Sequence, residues 1–287
     1  MDKFLIVTNQ DKDIDLKVTK EIQKYIISRG RECHLAEPLV GTDPLKTGYT
    51  DLSKLQEDID CVIVLGGDGT FIQTVRDFKG LDIPMVGVNM GTVGFLATID
   101  LDNLYDSLDA LVDGDYTIQN RILLRGEVYR EGRRLQKSIA FNDVIVTRSG
   151  FSRLVELKIY VNDQLLDIYA ADGVIVSTPA GSTGYNLSAG GPVVFPETEM
   201  MIITPICPHS LSARSVVVSA QAKVRVEIGR RRKTQKEEAL VTYDGDTVWE
   251  LESSDVVEIV QASKKVPVVN IRQKSFCDIL RNKMKNV

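Results

Sequence analysis

Five residues, Gly66-Gly67-Asp68-Gly69-Thr70, restrict what this chain can build more than any other stretch. They follow the unbroken apolar run Cys61-Val62-Ile63-Val64-Leu65 and precede Phe71, Val75 and Phe78, which recur at helical spacing. The first pattern is that of a buried parallel strand, and the second that of a helix beginning near Thr70. Glycines in the turn between them let a ligand approach the backbone, and the bare N–H groups of a helix start attract phosphate. An aspartate repels phosphate, so Asp68 has two readings. It caps the helix, or it accepts a proton from, or orients, a hydroxyl that takes up a phosphoryl group. The dinucleotide fingerprint G-x-G-x-x-G fails because its third glycine would fall on Ile72, and no G-x-x-x-x-G-K-[ST] occurs.

Composition narrows the rest. With 287 residues the chain can bury a sizeable core in one large or two modest domains. A net charge of -5 argues against a nucleic-acid or anionic-membrane partner. No apolar run approaches the roughly 18 residues of a membrane-spanning helix. Met1-Asp2-Lys3-Phe4 runs directly into a strand, so no secretory leader is expected. Cys33, Cys61, Cys207 and Cys277 are scattered without C-x-x-C spacing, which indicates neither a disulfide framework nor zinc. A reduced, cytoplasmic protein is expected. Only His34 and His209 are present, so a histidine-rich metal site is excluded, and neither sits near a nucleophile elbow. No protein metal site is predicted.

Along the chain, Phe4–Thr8 reads as a first strand and 14–29 as an amphipathic helix stopped by Gly30. Glu32–Leu35 is a short strand, and 36–58, rich in Gly, Pro, Thr and Asp, a surface loop. Ile83–Asn89 is another strand and Asp100–Val112 a helix closed by Gly114. This alternation predicts a doubly wound α/β domain, whose ligands bind at the carboxyl ends of the strands, where Asp68 and Asn89 fall. A second glycine turn, Gly91–Ala97, carries Phe95, which serves either the core or a ring-packing site. From Ile118 to about Val269 short Val/Ile-rich alternating segments predict a β-sandwich-like second domain. Strands are expected at Arg121–Tyr129, Ser138–Thr147, Leu154–Val161, Gln164–Tyr169, Gly173–Ser177, Lys223–Ile228, Ala239–Tyr243, Thr247–Leu251 and Val256–Gln261, with a hairpin turn at Asn162-Asp163. Arg230–Glu238 reads as an exposed hairpin tip. A last strand, Val268–Ile271, and helix, Phe276–Met284, return to the first domain. The expected division is 1–99, with 266–287 packing back on it, and 100–265.

Two further motifs lie in the β region. Asp172–Pro192 reads as a strand, a tight Pro179-Ala180-Gly181 turn and a short helix starting near Ser182, rich in hydroxyls and glycine. Such a segment suits a ribose, an amide or a phosphate, and Tyr185 can stack on a ring. Phe141-Asn142-Asp143-Val144 places an amide and a carboxylate in a strand interior. The pair either braces a turn or holds vicinal hydroxyls.

Taken together, these motifs resemble the NAD kinases. Gly66–Thr70 matches that family's GGDGT motif, Asn142-Asp143 its short N-E/D motif, and Asp172–Pro192 its long glycine-rich motif. Pro205–Arg214 and Asp244-Gly245-Asp246 resemble two weaker segments, so the likeness runs through nearly the whole chain in order. GGDGT is shared with diacylglycerol and sphingosine kinases, whereas the long motif is specific.

The resemblance implies transfer of a terminal phosphoryl group from ATP or inorganic polyphosphate to the adenosine 2'-hydroxyl of NAD, giving NADP. It casts Asp68 as the base or orienting carboxylate, with Gly66, Gly67 and Gly69 admitting both substrates. Asn142 and Asp143 would hold adenosine atoms and Asp172 the nicotinamide side. Thr183, Gly184, Tyr185, Asn186, Leu187 and Ser188 would line the adenine and nicotinamide-ribose pocket, with Phe95, Arg153, Ala170 and Asp246 as further contacts. Mg2+ would be carried by the phosphates, and a homodimer or homotetramer is expected, with the nucleotide site completed by a neighbouring subunit. Ala170 stands where NAD-restricted members often carry arginine, Gly184 where alanine is usual, Ala180 where threonine or serine is usual, and Asp246 replaces a glutamine. Two rivals remain at this stage: a lipid kinase of the diacylglycerol type and a catalytically silent dinucleotide-binding regulator.

Overall fold

The computed structural model describes residues 1–37, 50, 51, 53, 55, 58–78, 81–91, 94–150, 154–230, 238–271 and 275–285. Arg153, most of the 36–58 loop and the basic run 231–237 lie outside these residues.

The chain forms two compact units, residues 1–120 with 266–287, and residues 121–265. The first begins with β1 (Lys3–Thr8), α1 (Lys17–Ser28) and β2 (Glu32–Leu35). It continues through β3 (Cys61–Gly66), α2 (Asp68–Asp77), β4 (Met85–Asn89), β5 (Ala97–Asp100) and α3 (Leu104–Asp113). β1 lies between β2 and β3, β4 adds beside β3, β5 beside β4, and every pairing is parallel. The strands read as unbroken apolar runs because both faces are covered. On one face Ile22 and Ile26 of α1 and Leu104, Leu108 and Leu111 of α3 share a core with Phe4, Ile6, Ile63, Leu65 and Val88. That packing puts α3 in the first unit, so its boundary falls at residue 120 and not at 99. α2 packs beside β3 and buries Phe71 and Val75.

Helix α1 starts three residues later than the apolar pattern suggests, after a short 3-10 turn at Ile14–Leu16. The buried Asp13 is responsible. Its carboxylate accepts the Val18 and Thr19 N–H groups and the Thr19 hydroxyl, which fixes where the first turn opens.

The second unit is all β apart from one short segment. β6 (Thr117–Arg130) carries the chain into it, followed by β7 (Arg133–Ala140), β8 (Asp143–Arg148), β9 (Val155–Val161), β10 (Gln164–Ala171) and β11 (Gly173–Ser177). A 3-10 turn (Ala180–Thr183) and a one-turn helix α4 (Tyr185–Ser188) come next. Then follow β12 (Met200–Ile206), β13 (Val216–Ser219), β14 (Val224–Ile228), β15 (Glu238–Tyr243), β16 (Thr247–Glu252) and β17 (Val256–Asn270). One sheet runs β13-β12-β11-β8-β15-β16, while β10, β9, β14 and the first half of β17 form an antiparallel series. Val144, Val146, Val174 and Val241 of the former pack with Leu157, Ile159, Val226 and Val257 of the latter. A sandwich core results. The end of β17 belongs to the first unit, where Val268 pairs with Met85, as does α5 (Phe276–Lys285).

Asn162 and Asp163 both adopt positive φ, +50° and +64°, and close the β9–β10 hairpin as expected. A strand expectation also fails. Ser138–Thr147 is not a single strand: it breaks at Phe141-Asn142, so that β7 pairs with β6 and β8 with β11 and β15. The Asp244 carboxylate takes the Phe141, Asn142 and Asp143 N–H groups at 2.8, 2.7 and 3.1 Å, donors a continuous ladder would have used. β12 and β13 escape the sequence reading because β12 is buried almost throughout, without alternation, and contains Pro205, while β13 has only four residues.

Arg130 binds Asp255 bidentately, Nε to Oδ1 at 2.9 Å and a terminal nitrogen to Oδ2 at 2.7 Å, and Asp255 is 1% exposed. Arg130→Met keeps the apolar stem and strands that carboxylate. The chain should lose about 3 kcal/mol of stability, measured as a shift in the urea midpoint; an unchanged midpoint would show that the pair contributes nothing.

Candidate functional site

Each unit has one carboxylate that organises a corner carrying predicted residues: Asp68 in the first and Asp244 in the second. In the first unit Asp68 is the first residue of α2, with Gly67 at the N-cap. Its side chain does not cap that helix. Oδ2 accepts the Phe95 N–H at 2.8 Å, and Oδ1 accepts those of Leu96 and Ala97 at 3.0 and 3.3 Å. The capping role falls instead to the Thr70 hydroxyl, which faces the Gly67 N–H at 3.5 Å and accepts from Asn9 Nδ2 at 3.2 Å. A β-carbon on Gly94 would stand 1.9 Å from Asp68 Oδ1, so only glycine lets the 94–97 segment wrap the carboxylate this closely.

A carboxylate offers about four acceptor positions. With three taken, acceptor capacity remains on Oδ2. A cavity of about 390 Å3 opens here, lined by Asn9, Lys12, the Gly67–Thr70 turn, Gly94 and Lys283. Phe95 is half-buried against Phe276 of α5, ring centroids 5.8 Å apart, with the Lys283 ammonium 5.3 Å from its ring.

In the second unit Asp244 gathers the three N–H groups of 141–143, and its own N–H returns to the Asp143 carbonyl at 3.0 Å. Asp246 lies in the same turn, its N–H on the Tyr243 carbonyl. The Thr178 hydroxyl donates to the Phe141 carbonyl at 2.7 Å and receives the Gly181 N–H at 3.1 Å, docking the glycine-rich motif onto this corner. Asn142 lies over Gly184, and its buried Oδ1 has no hydrogen-bond partner among the described residues. Such an atom is an acceptor open to a ligand. Asp143 is 4% exposed, and burial, with the Asp244 carboxylate beside it, pushes its carboxyl up to about 7.

The long motif divides between scaffold and surface. Asn186 is fully buried, Nδ2 donating to the Ser182 and Pro192 carbonyls and Oδ1 receiving the Thr204 hydroxyl. The Thr183 hydroxyl donates to the Ala180 carbonyl at 3.3 Å. Tyr185, Leu187 and Ser188 are exposed. Asp172 pairs with Arg148, Nε to Oδ1 at 2.6 Å, and the Ala170 carbonyl accepts the His209 N–H. In place of one helix from Ser182 there are two single turns, and the hydroxyls of the first, Ser182 and Thr183, donate to the Val194 and Ala180 carbonyls.

Sequence reasoning missed Asp244 as the organiser of the Asn142-Asp143 corner, Arg148 as the partner of Asp172, and Lys12 and Lys283 at the cavity. Asp244-Gly245 carried a turn signal; lone lysines and a strand-end arginine carried none.

A family model described as the ATP-NAD kinase N-terminal domain matches residues 4–116, and one described as the ATP-NAD kinase C-terminal domain matches 141–271. The chain belongs to the NAD kinase family. It is 44% identical to the NAD kinase of Lachnoclostridium phytofermentans over 285 residues, 99% of each chain. It is 37% identical to the NAD kinase of a Thermoanaerobacter species over 288 residues, again 99% of each. Family membership makes the chain a kinase, and neither the lipid-kinase nor the silent-regulator alternative finds support. The fold is also that of yeast NADH kinase, crystallised with NADH, at a TM-score of 0.80 and 20% identity, covering 99% of this chain and 88% of that one. An NAD kinase from Archaeoglobus fulgidus in complex with ATP superposes at a TM-score of 0.74 and 24% identity, covering 99% of each.

The Asp143 carboxyl dictates a pH dependence. Between about pH 4 and pH 7 the folded chain holds a proton there that the unfolded chain has released, so this group favours the fold at low pH. That contribution is lost as the pH rises through the folded value. Asp143→Asn stays neutral throughout. Measured by urea unfolding, the stability of the native chain relative to this variant should fall from pH 4 to pH 8, and a constant difference would refute the shift.

Proposed function

We propose that this chain transfers the terminal phosphoryl group of ATP or inorganic polyphosphate to the adenosine 2'-hydroxyl of NAD, giving NADP. The observation that carries the reading is the Asp68 carboxylate, immobilised by three backbone amides, with one oxygen still able to accept, at a glycine-walled cavity. In the proposed step the 2'-oxygen attacks the terminal phosphorus as the bond to the bridging oxygen breaks. ADP, or polyphosphate shortened by one phosphate, departs, and the hydroxyl proton passes toward Asp68 Oδ2. Gly67 and Gly69 admit the phosphates; positioning supplies most of the catalysis.

Asn142, with its open Oδ1, and Asp143, whose carboxyl titrates near neutrality and so both donates and accepts, are assigned to adenosine hydroxyls or base. Asp172, oriented by Arg148, is assigned to the nicotinamide end. Tyr185, Leu187 and Ser188 offer an exposed aromatic and polar rim for the rings, behind which Thr183, Gly184 and Asn186 form the support. Phe95, Arg153, Ala170 and Asp246 complete the assignment, and Ala170 admits the reduced as well as the oxidised dinucleotide.

The acceptor is drawn from the family's NAD kinase names and the donor from its ATP-NAD kinase models. Among the described residues no cluster of three metal-ligating side chains exists, and the cavity presents one carboxylate. Mg2+ is assigned to the donor's phosphates, where it offsets their charge. Assembly as a homodimer or homotetramer and residence in the cytoplasm complete the proposal; the four free thiols suit a reducing compartment.

Asp68→Asn should cut turnover by about 10²–10⁴-fold while leaving NAD affinity within a few-fold, as followed by a coupled NADP assay and by calorimetry. Gly94→Ala, which crowds the same carboxylate, should cost activity comparably. Undiminished turnover in Asp68→Asn would remove that side chain from its role. Crossing NAD and NADH with ATP and polyphosphate in the native chain fixes the substrate pair.

A further inference from the structure

We propose that Lys12 and Lys283 form a cationic clamp on the terminal phosphates of the phosphoryl donor. The two come from opposite ends of the chain, Lys12 from the turn after β1 and Lys283 from α5, and both line the Asp68 cavity.

The backbone that carries Lys12 is fixed. Its N–H and that of Asp13 both bond the Asn9 carbonyl, at 3.0 and 3.1 Å, and the Asn9 N–H bonds the Leu65 carbonyl of β3. Asn9 Nδ2 reaches Thr70 in α2, so this turn is fastened to the same corner that carries Asp68. The Lys12 ammonium lies only 3.0 Å from where a β-carbon on Gly67 would be. The cation thus lies directly against the second glycine of the turn. Lys283 stands across Phe95, the residue whose N–H holds Asp68 Oδ2.

Among the described residues no ion pair involves either ammonium. Two positive charges against one carboxylate give the described lining a net charge of +1, in a chain whose formal charge is -5. A cavity built to take a neutral or cationic partner has no use for that excess. An oligophosphate does: two point charges can grip non-bridging oxygens and take up charge on the departing bridging oxygen, with no proton changing hands. Lysine suits the task because its compact head is a phosphate-binding point charge on a flexible stem.

This inference rests on reading the cavity as the phosphoryl-transfer site, and the experiment separates the two. Lys12→Gln, Lys283→Gln and the double variant are compared with the native chain in steady-state kinetics with ATP and NAD. In parallel, calorimetry follows binding of inorganic tripolyphosphate without acceptor. Each single change should raise the donor KM and the tripolyphosphate Kd by about tenfold, with the KM for NAD within twofold and thermal unfolding unchanged. Lys12→Arg and Lys283→Arg should recover most of the loss. Donor KM and tripolyphosphate Kd that stay within twofold in the double variant would overturn the clamp, as would a loss confined to NAD. Lysine-dependent tripolyphosphate binding in a native chain without phosphoryl transfer would uphold the clamp and refute the catalytic reading.

Discussion

Everything in the first unit that bears on chemistry depends on a single anion being held by backbone amides. The Asp68 carboxylate closes three N–H···O bonds to a segment 27 to 29 residues away in sequence, and so ties the β3–α2 corner to the entry of β5. Bonds to a charged acceptor contribute roughly 1.5–3 kcal/mol each, enough together to fix the 94–97 segment. The location follows from the sheet. In a parallel sheet the carboxyl ends of the strands leave a crevice where the order of connection reverses, and β1 and β3, side by side, open one between Asn9 and Asp68.

The second unit repeats the device with another outcome. Asp244 also binds three successive N–H groups, but here they end a strand. A chain that would have run straight from β7 into β8 is turned from one sheet into the other, and the amide and carboxyl at the turn are left facing inward. Asp143 is thereby buried, and beside an anion already committed to the backbone, so burial first and the Asp244 charge second make its own proton hard to remove.

Much of this was legible in the residues. The apolar runs of β1, β3 and β4, the glycine corner and the ordered motifs located the first sheet and its carboxyl edge, and the Asn162-Asp163 turn located a hairpin. What could not be read had physical causes. The helical pattern before Lys17 is apolar enough to continue, yet Asp13 overrides it through bonds that periodicity does not register. Ser138–Thr147 alternates as one strand would, and only a partner 101 to 103 residues away breaks it. Leu104, Leu108 and Leu111 show a helix with an apolar face but not which core that face joins. Asn186 reads as a pocket residue from its motif, whereas its buried amide ties Ser182 to Pro192 across the turn.

The ring pair Phe95–Phe276 has a practical corollary. Helix α5 touches the very residue whose amide steadies the Asp68 carboxylate, so the carboxyl-terminal segment leans on that corner through the Phe276 ring and the Lys283 ammonium. A purification handle or fluorescent fusion attached there would load those contacts. Engineering of this enzyme is better confined to exposed turns of the second unit, such as Glu131-Gly132 between β6 and β7.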